Sequence, residues 1–394
     1  MISRSAVIFV PDDTAKTGYP TPVLLLRCMG VPLLAWLVNS MVSSGVGRFF
    51  LVCGSAHEAQ ARACFPEGVE VMCVGSDAPA EQLHVFLSTA DDAEEEITVV
   101  TAPCVYIPSE AVLCEDVARD DAPIPAGVAA VHRAALMDAL DEAFSFQSFL
   151  QEHARVLTDR DGYFSVTQAS ELADWAPILR RLHLNALAES GVEIWDFDNC
   201  YVDPTVIVGR GTQLLPGTIL RGRTVVGCDC VIGPNSDLED CVVGDRARVE
   251  FSRAERASVG TEACVGPFAH LRPDSQIGGR VKIGNFVEIK NAAVDEETWI
   301  SHLSYVGDSE IGKRCNLGCG TVTVNFDRKD KHRTVIGDDA FVGCNSSLIA
   351  PLRVGKGAYI GAGSVITEDV PAQALALARA RQSIRKDWAE KHKK

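Results

Sequence analysis

The feature that most constrains the fold is a six-residue repeat in the second half of the chain. Aliphatic residues fall at every sixth position in three runs, and a glycine often follows them. The runs are Val202, Val208, Leu214, Leu220, Val226, Ile232 and Leu238; Val259, Val265, Leu271, Ile277, Ile283 and Ile289; and Ile336, Val342, Leu348, Val354, Ile360 and Ile366. This hexapeptide repeat is typical of a left-handed parallel β-helix, in which each unit forms one flat side of a triangular coil. The pattern predicts that each aliphatic side chain points inward and stacks on the residue one coil, about eighteen residues, away.

The first half of the chain shows no such repeat and alternates strand and helix patterns. Short apolar runs bounded by turn residues predict buried strands at "SAVIFV", "RFFLVCG", "VEVMCV" and "ITVVTA". Apolar residues at helical spacing predict helices at "VPLLAWLVNSMVSSGV", "AEQLHVFLSTA", "AALMDALDEAFSFQSFLQEHARV" and "DWAPILRRLHLNALAESGV", the last ended by Gly191. The alternation predicts an α/β, Rossmann-like domain with a mostly parallel sheet.

These patterns predict four segments. Residues 1–170 form the α/β domain, 171–198 a linking helix, 199–372 the β-helix, and 373–394 a C-terminal tail, a short basic helix or a frayed arm. A chain of 394 residues suits two or three domains.

Composition restricts the partners and the compartment. The net charge of −16 disfavours binding to nucleic acid or to an anionic membrane. No apolar run reaches the roughly 18 to 20 residues that cross a bilayer, and the N-terminal apolar stretch is short for a signal peptide, so we expect a cytoplasmic protein without membrane insertion. The fourteen cysteines lack paired zinc-site spacing and are expected to be mostly buried, reduced thiols.

Two interruptions of the repeat carry chemically capable side chains. The repeat slips in "AAVDEETWISHLSYVGD", which holds His302 and Tyr305, and a polar excursion, "TVTVNFDRKDKHRT", holds Asn325. Taken singly, His302 or the nearby Lys290 could be a solvated surface side chain. Together, on coils that stack, they favour a site, because imidazole can take a proton near neutral pH and cations hold a phosphate or a carboxylate.

At residues 200–380 the sequence resembles a known family. The segments "VGPFAHLRP", "VKIGNFVEIKNA", "SHLSYVGDSEIG", "NLGCGTVTVNFD" and "TVIGDDAFVGCNSSLIAPLRVGKGAYIGAGSVI" resemble the acetyltransferase half of the GlmU family. That family comprises bifunctional glucosamine-1-phosphate acetyltransferases and N-acetylglucosamine-1-phosphate uridyltransferases. The first half resembles the family more weakly.

The resemblance implies roles for individual residues. His302 would be the general base, and Asn325 would lie close to the reacting groups. The sugar phosphate would be bound by Arg272, Lys290, Tyr305, Asn316 and Lys331. Acetyl-coenzyme A would be bound by Cys319, Phe326, Cys344, Ala362 and Arg379. Three of these depart from the family, in which a tyrosine stands at Phe326, an alanine at Cys319 and a serine at Cys344. These changes conserve size and leave the base and the phosphate-binding cations in place.

The first half departs from the family more severely. The family's glycine-rich phosphate loop is replaced by "VPDDTAKTG", and Val23 stands where its lysine should be. The two metal-binding positions fall near Pro103 and near Thr167. Without these groups nothing would position Mg²⁺ and a triphosphate, so no metal site is expected and the uridyltransferase domain is predicted to be degenerate.

The sequence therefore predicts an enzyme that acetylates the amine of glucosamine 1-phosphate with acetyl-coenzyme A. Its product would feed the synthesis of UDP-N-acetylglucosamine and peptidoglycan, and the resemblance implies a homotrimer with sites between neighbouring β-helices. Three alternatives stay open. They are a fully bifunctional enzyme with a divergent UTP site, a non-catalytic regulatory protein that binds UDP-sugars or a partner, and an enzyme that acetylates another acceptor.

Overall fold

The structure, a computed structural model, describes residues 5–75, 79–90, 95–108, 127–140, 146–158 and 161–393. The chain forms two compact units, Met1–Phe197 with Tyr201–Val206, and Asp198–Cys200 with Ile207–Lys394. Within the described residues, no helix has both the length and the apolar character that a membrane span requires.

The first unit contains both strands and helices. Its strands are β1 (Ser5–Val10), β2 (Arg27–Cys28), β3 (Val31–Pro32), β4 (Arg48–Cys53), β5 (Glu70–Val74), β6 (Glu96–Val100), β7 (Cys104–Tyr106), β8 (Val128–His132), β9 (Arg155–Val156), β10 (Tyr163–Ser165), β11 (Glu193–Ile194) and β12 (Tyr201–Val202). Its helices are α1 (Thr14–Thr17), a 3₁₀ helix (Val23–Leu25), α2 (Leu33–Ser43), α3 (Glu58–Arg62), α4 (Pro79–Ser88), α5 (Arg133–Ala139), α6 (Phe146–His153) and α7 (Glu171–Glu189).

The central sheet of this unit is mostly parallel, as predicted. Its strand order is β5-β4-β1-β6-β8-β9, with parallel pairing from β5 to β6 and antiparallel pairing of β8 with both neighbours. Alternate residues of β1 enter cores on opposite faces of the sheet: Ile8 packs in one buried cluster and Val7 in the other. The sheet is therefore covered on both sides, which is typical of parallel sheets.

One helix prediction was wrong and another is confirmed. The segment from 134 to 156 was predicted as one long helix, but α5 ends before Leu140, whose ψ of 83° is not helical. Residues 141–145 lie outside the described residues. Leu136 of α5 and Phe149 of α6 both pack into the core that contains Val7, so each short helix turns an apolar residue to the same face of the sheet. Helix α7 ends as predicted, with Gly191 at a φ of 98°.

The second unit consists almost entirely of short strands. They are β13 (Ile207–Val208), β14 (Gln213–Leu214), β15 (Ile219–Arg221), β16 (Val225–Val226), β17 (Val231–Ile232), β18 (Asp237–Glu239), β19 (Val242–Val243), β20 (Arg248–Val249), β21 (Arg253–Glu255), β22 (Ser258–Val259), β23 (Cys264–Val265), β24 (His270–Leu271), β25 (Gln276–Ile277), β26 (Lys282–Val294), β27 (Trp299–Ile311), β28 (Asn316–Leu317), β29 (Val322–Val324), β30 (Thr334–Ile336), β31 (Phe341–Val342), β32 (Ser347–Ile349), β33 (Leu352–Val354), β34 (Tyr359–Ile360), β35 (Val365–Ile366) and β36 (Leu375–Ala376). One four-residue helix, α8 (Trp388–Lys391), lies in the exposed tail.

These strands wind into the predicted left-handed parallel β-helix. Each strand pairs in parallel with the third strand after it along much of the unit, so three strands make one triangular coil. Every aliphatic residue of the three predicted runs is buried. The length of a coil is the number of residues between two paired positions. It is eighteen from Val208 to Val226 and sixteen from Val243 to Val259, but twenty-five from Leu317 to Val342, where a loop leaves the coil.

The two interruptions differ in kind. Along the first, β26 and β27 pair from Lys282↔Trp299 to Val294↔Ile311, so this segment stays within the coil. The step slips because each of these coils has seventeen residues instead of eighteen, as the pairing Ile283↔Ile300 shows. The second interruption does leave the coil, between β29 and β30. Beyond 372, the end predicted for the β-helix, β36 still pairs with β34.

Candidate functional site

Three cations gather on one flat side of the β-helix. The pairing Leu271↔Ile289 sets Arg272 and Lys290 side by side on successive coils. The close approach of the Lys331 ammonium, and then the charge of Arg272, lower the pKa of Lys290. Cations that perturb one another in this way gain most from an anion placed between them.

Glu288 fixes one member of this cluster. Its carboxylate accepts a hydrogen bond of 2.9 Å from Arg272 Nη1, and both side chains are about two-fifths exposed, at 39% and 38%. The pair therefore orients the guanidinium and leaves its other N–H groups available.

A buried carboxylate holds the amides beside the cations. Asp308, only 6% exposed, accepts a hydrogen bond of 2.5 Å from Asn291 Nδ2 and another from Asn325 Nδ2. The second contact of Asn325 Nδ2, to the Tyr305 hydroxyl, is long at 3.5 Å. One amide hydrogen of Asn325 is thus held firmly, and the other is available to a ligand.

Gly307 keeps this part of the surface open. A Cβ at this position would lie 2.5 Å from the Tyr305 hydroxyl oxygen and 2.8 Å from Asn325 Nδ2. Thr323 Oγ1 accepts a hydrogen bond of 2.8 Å from Gly307 N and donates one of 3.1 Å to Gly307 O. The backbone at Gly307 is therefore fixed, and any side chain there would displace Tyr305 or Asn325.

The loop of the second interruption carries Lys331 and is held by Asp327. Its carboxylate accepts hydrogen bonds from the backbone N–H groups of Lys329 at 2.8 Å and Asp330 at 2.7 Å, and lies 2.7 Å from His332 Nε2. These contacts, the one from Asp330 first, hold the pKa of Asp327 well below its usual range. A loop closed in this way gives Lys331 a defined position over Lys290.

His302 lies at the corner that ends the preceding flat side. Its Nδ1 is 2.8 Å from the amide oxygen of Asn285, its partner one coil earlier. Because an amide oxygen only accepts, Nδ1 carries the hydrogen, and Nε2 of the exposed ring is left with a lone pair. Asn285 therefore sets the tautomer that a general base needs.

A column of small residues continues along this corner. The register of β27, β28, β31 and β34 aligns His302 with Cys319, Cys344 and Ala362 on successive coils. Near the end of the column, a Cβ at Gly363 would lie 3.7 Å from Arg379 Cδ. Small side chains followed by a cation suit a thioester chain that ends in phosphates.

One predicted site residue, Asn316, is not brought together with the cation cluster. Asn316 is exposed and lies on the neighbouring flat side, paired with Trp299 and Phe341. Phe326 is 56% exposed on the loop and pairs there with Lys331 through the backbone. The structure therefore spreads the predicted residues over two flat sides and the corner between them.

In the first unit, the segment at the position of the family's phosphate loop contains two aspartates that accept hydrogen bonds from neighbouring residues. Asp12 Oδ1 accepts hydrogen bonds from the Thr14 hydroxyl at 2.6 Å and from Thr14 N at 3.3 Å. Asp13 Oδ1 accepts one of 3.1 Å from the backbone N–H of Val23, whose side chain is 1% exposed. Negative charge therefore already occupies backbone donors that a nucleotide phosphate would need.

The segments near which the resemblance places the family's two metal-binding positions lie close together. Val166 N donates to Pro103 O at 3.0 Å, which brings Thr167 close to Pro103. The Thr167 hydroxyl donates to Glu171 at 2.8 Å, and Pro103 has no polar side chain. Among the residues that the structure describes, no group of three or more His, Cys, Asp or Glu could hold a metal ion.

Sequence reasoning missed the residues that position the others. Asn285, Glu288, Asn291 and Asp308 all stand inside the quoted segments "GNFVEIKNA" and "SHLSYVGD", and Asp327 stands in the excursion. Their polar character on a coil was the only available signal, and a solvated surface gives the same signal. The partners of the first four lie about one coil away along the chain, so only the register identifies them, whereas those of Asp327 are within the loop.

The hexapeptide architecture agrees with comparison to known proteins. The family described as "Bacterial transferase hexapeptide (six repeats)" matches residues 333–368. The structure of Francisella novicida UDP-N-acetylglucosamine acyltransferase is 20% identical, with a TM-score of 0.26 over 47% of this chain and 66% of that one. The inositol-1-phosphate CTP transferase of T. maritima is 18% identical, with a TM-score of 0.23 over 31% of this chain and 51% of that one. Its repeat and its coiled sheet define the protein as one of the hexapeptide-repeat β-helix class.

Within that class, sequence identity indicates one family. "Bifunctional protein GlmU" of Geobacillus sp. (strain WCH70) is 47% identical over 220 residues, 56% of this chain and 48% of that protein. The protein of the same name from Listeria welshimeri is 45% identical over 255 residues, 65% of this chain and 53% of that protein. The chain is similar to the GlmU family over more than half of its own length. It spans about half the length of the relatives that it matches.

Proposed function

We propose that the β-helix transfers an acetyl group from acetyl-coenzyme A to the amine of glucosamine 1-phosphate. The observation that carries the proposal is the cation cluster Arg272–Lys290–Lys331, in which mutual repulsion lowers the pKa of Lys290. A sugar phosphate supplies the dianion that relieves this repulsion, and its hydroxyl groups suit Tyr305 and Asn325 beside the cluster. The product, N-acetylglucosamine 1-phosphate, would serve the synthesis of UDP-N-acetylglucosamine and peptidoglycan.

In this proposal His302 acts as the general base. Asn285 holds Nδ1, so Nε2 takes the proton from the amine as the nitrogen attacks the thioester carbonyl. The free hydrogen of Asn325 Nδ2 stabilises the negative charge that develops on the carbonyl oxygen. The cations hold the phosphate in one place, which supplies proximity.

Acetyl-coenzyme A would bind along the corner column. Cys319, Cys344 and Ala362 would contact the thioester arm, Arg379 would approach its phosphates, and Phe326 would lie against it from the loop. The carbonyl would then lie next to His302, the first member of that column on the catalytic coil.

The complete site would lie between copies of the chain in a homotrimer. One chain exposes Asn316 on one flat side and the cation cluster on the next, so an acceptor held by the cluster contacts both only if a neighbouring β-helix supplies Asn316. A flat-sided solenoid is suited to such threefold packing.

The test is release of free coenzyme A thiol with glucosamine 1-phosphate as acceptor. We expect turnover by the native chain and a loss of about 10²–10⁴-fold in His302→Ala. His153→Ala is a matched control, because His153 is the last residue of α6 in the first unit, and it should lose far less activity. A folded native chain without turnover would contradict the proposal.

We also propose that uridyl transfer is lost. Asp12 and Asp13 of the segment that replaces the phosphate loop accept hydrogen bonds from Thr14 and Val23, and the metal positions fall near Pro103 and near Thr167. We expect no Mg²⁺-dependent release of pyrophosphate from UTP and N-acetylglucosamine 1-phosphate above a no-enzyme blank, in a preparation that is active in acetyl transfer. Measurable turnover would instead favour a bifunctional enzyme with a divergent site.

A further inference from the structure

Two cysteines stand opposite each other on successive coils of the corner that carries His302. The pairing Leu317↔Val342 aligns β28 with β31, and Asn345 N donates to Cys319 O at 2.7 Å. Two residues beyond that pair, Cys319 and Cys344 stand opposite each other. They are separated by 25 residues along the chain but by only one coil in space.

The backbones approach closely at this point. A Cβ at Gly318 would lie 2.6 Å from Cys344 N, so only glycine allows the contact. Paired strands lie about 4.8 Å apart, and a disulfide tolerates Cα separations of roughly 4.4–6.8 Å. The backbone spacing at Cys319 and Cys344 is therefore within the range that a disulfide spans.

Accessibility distinguishes this pair from a second pair of neighbouring thiols. Cys344 is exposed and Cys319 half-buried. In the first unit Cys53 and Cys73 contact each other, but burial raises the pKa of Cys53 to about 11 and also raises that of Cys73. The thiolate is the reactive form, so the corner pair is the one that reacts with small molecules in solution.

We propose that Cys319 and Cys344 close to a disulfide by exchange with a small-molecule disulfide, and that the bridge blocks the coenzyme site. The effect on the coenzyme rests on the function proposed above, whereas bond formation does not. The bridge would join two residues of the column that carries the thioester arm, beside His302.

The exchange balances without any further oxidant. The Cys344 thiolate attacks one sulfur of the small disulfide R–S–S–R and releases one RS⁻. The Cys319 thiolate then attacks Cys344 Sγ of the mixed disulfide and releases the second RS⁻. The two protons lost by the cysteines end on the two RSH molecules, so the protein thiols are oxidised and the small disulfide is reduced by two electrons.

Oxidised glutathione is the probe, with dithiothreitol to reverse the reaction. Peptide mass mapping of the full chain should show a Cys319–Cys344 cross-link that dithiothreitol removes. Calorimetry should show coenzyme A binding to the oxidised chain at least about tenfold more weakly than to the reduced chain, as expected when about 1.4 kcal/mol of contacts is lost.

Variants keep the proposal open to refutation. Cys344→Ser should bind coenzyme A equally with and without oxidised glutathione, and Cys319→Ala should show glutathione bound to Cys344 in place of the cross-link. Cys264→Ser, which removes an exposed thiol outside the column, should keep the full sensitivity. Free thiols at 319 and 344 after oxidation, or a cross-link that leaves coenzyme A binding unchanged, would overturn the proposal. Acetyl transfer by the reduced chain is measured separately, so failure of the proposed function can be distinguished.

Discussion

At the scale of single residues, Lys290 depends on neighbours from other coils. Lys331 and then Arg272 lower its pKa, so it loses its proton at a lower pH than an ordinary lysine. Phosphate binding that needs the protonated ammonium should therefore weaken early on the alkaline side. This pH dependence follows from contacts that are absent in the extended chain.

Lys331→Met tests that dependence. Loss of one charged contact should raise KM for glucosamine 1-phosphate by about 10–100-fold near neutral pH. Because a repelling charge is removed, the pKa of Lys290 should rise, and the alkaline increase in KM should move to higher pH. The measurement is KM as a function of pH.

Lys313→Met is the control for this change. Lys313 forms an ion pair of 3.4 Å with Glu296 and has no contact with the cation cluster. The KM of Lys313→Met for glucosamine 1-phosphate should match that of the native chain at every pH. If the alkaline increase in KM occurred at the same pH in Lys331→Met as in the native chain, Lys331 would not perturb the pKa of Lys290.

At the scale of elements, the loop between β29 and β30 is the polar excursion that the sequence predicted. Asp327 closes it through the N–H groups of Lys329 and Asp330. The β-helix on either side is built from buried aliphatic residues such as Leu317 and Val342, which pair with each other. Loop order and coil stability therefore rest on different interactions.

Asp327→Ala should reduce function without melting the coil. Without its anchor the loop no longer holds Lys331 over Lys290, and we expect kcat/KM to fall by about 10–100-fold, as for misplaced binding groups. Thermal unfolding followed by circular dichroism should be nearly unchanged, since the residue is on the surface.

Asp330→Ala is the matched variant on the same loop. Asp330 contributes only its backbone N–H and C=O groups to Asp327, which the substitution keeps, so activity should change little. A large fall in the melting temperature of Asp327→Ala would instead mean that the loop supports the coil.

At the scale of the whole molecule, the predicted site is divided between two flat sides. Arg272 and Lys290 lie on one side, whereas Asn316 lies on the other, beyond the corner with His302. If neighbouring chains complete each other's sites, inactive variants on different sides should complement.

Mixing Arg272→Ala with Asn316→Ala tests this arrangement. Each variant alone should be strongly impaired. Mixed trimers, made by co-expression with two tags, should recover activity because some sites take both intact residues from different chains. Mixing Arg272→Ala with Lys290→Ala, whose side chains lie on the same side, is the control and should recover nothing. Equal recovery in both mixtures would contradict a shared site.

The sequence alone determined the architecture of this protein. Hexapeptide spacing is local, and an aliphatic residue at every sixth position can be buried only if the chain coils, so the inward residues from Val208 to Ile366 were predictable. The alternating strands and helices of the first half were equally readable, apart from the break after α5. The positions of Arg272, Lys290 and His302 on coils that stack followed from the same spacing.

Only the tertiary structure decided which polar side chains meet. This β-helix contains coils of sixteen, seventeen, eighteen and twenty-five residues. A change of one residue in the length of a coil alters every pairing that follows. The contacts of Asn285 with His302 and of Asp308 with Asn325 depend on that register. The sequence specifies the side chains, but the distances between side chains on different coils are set only when the coils stack.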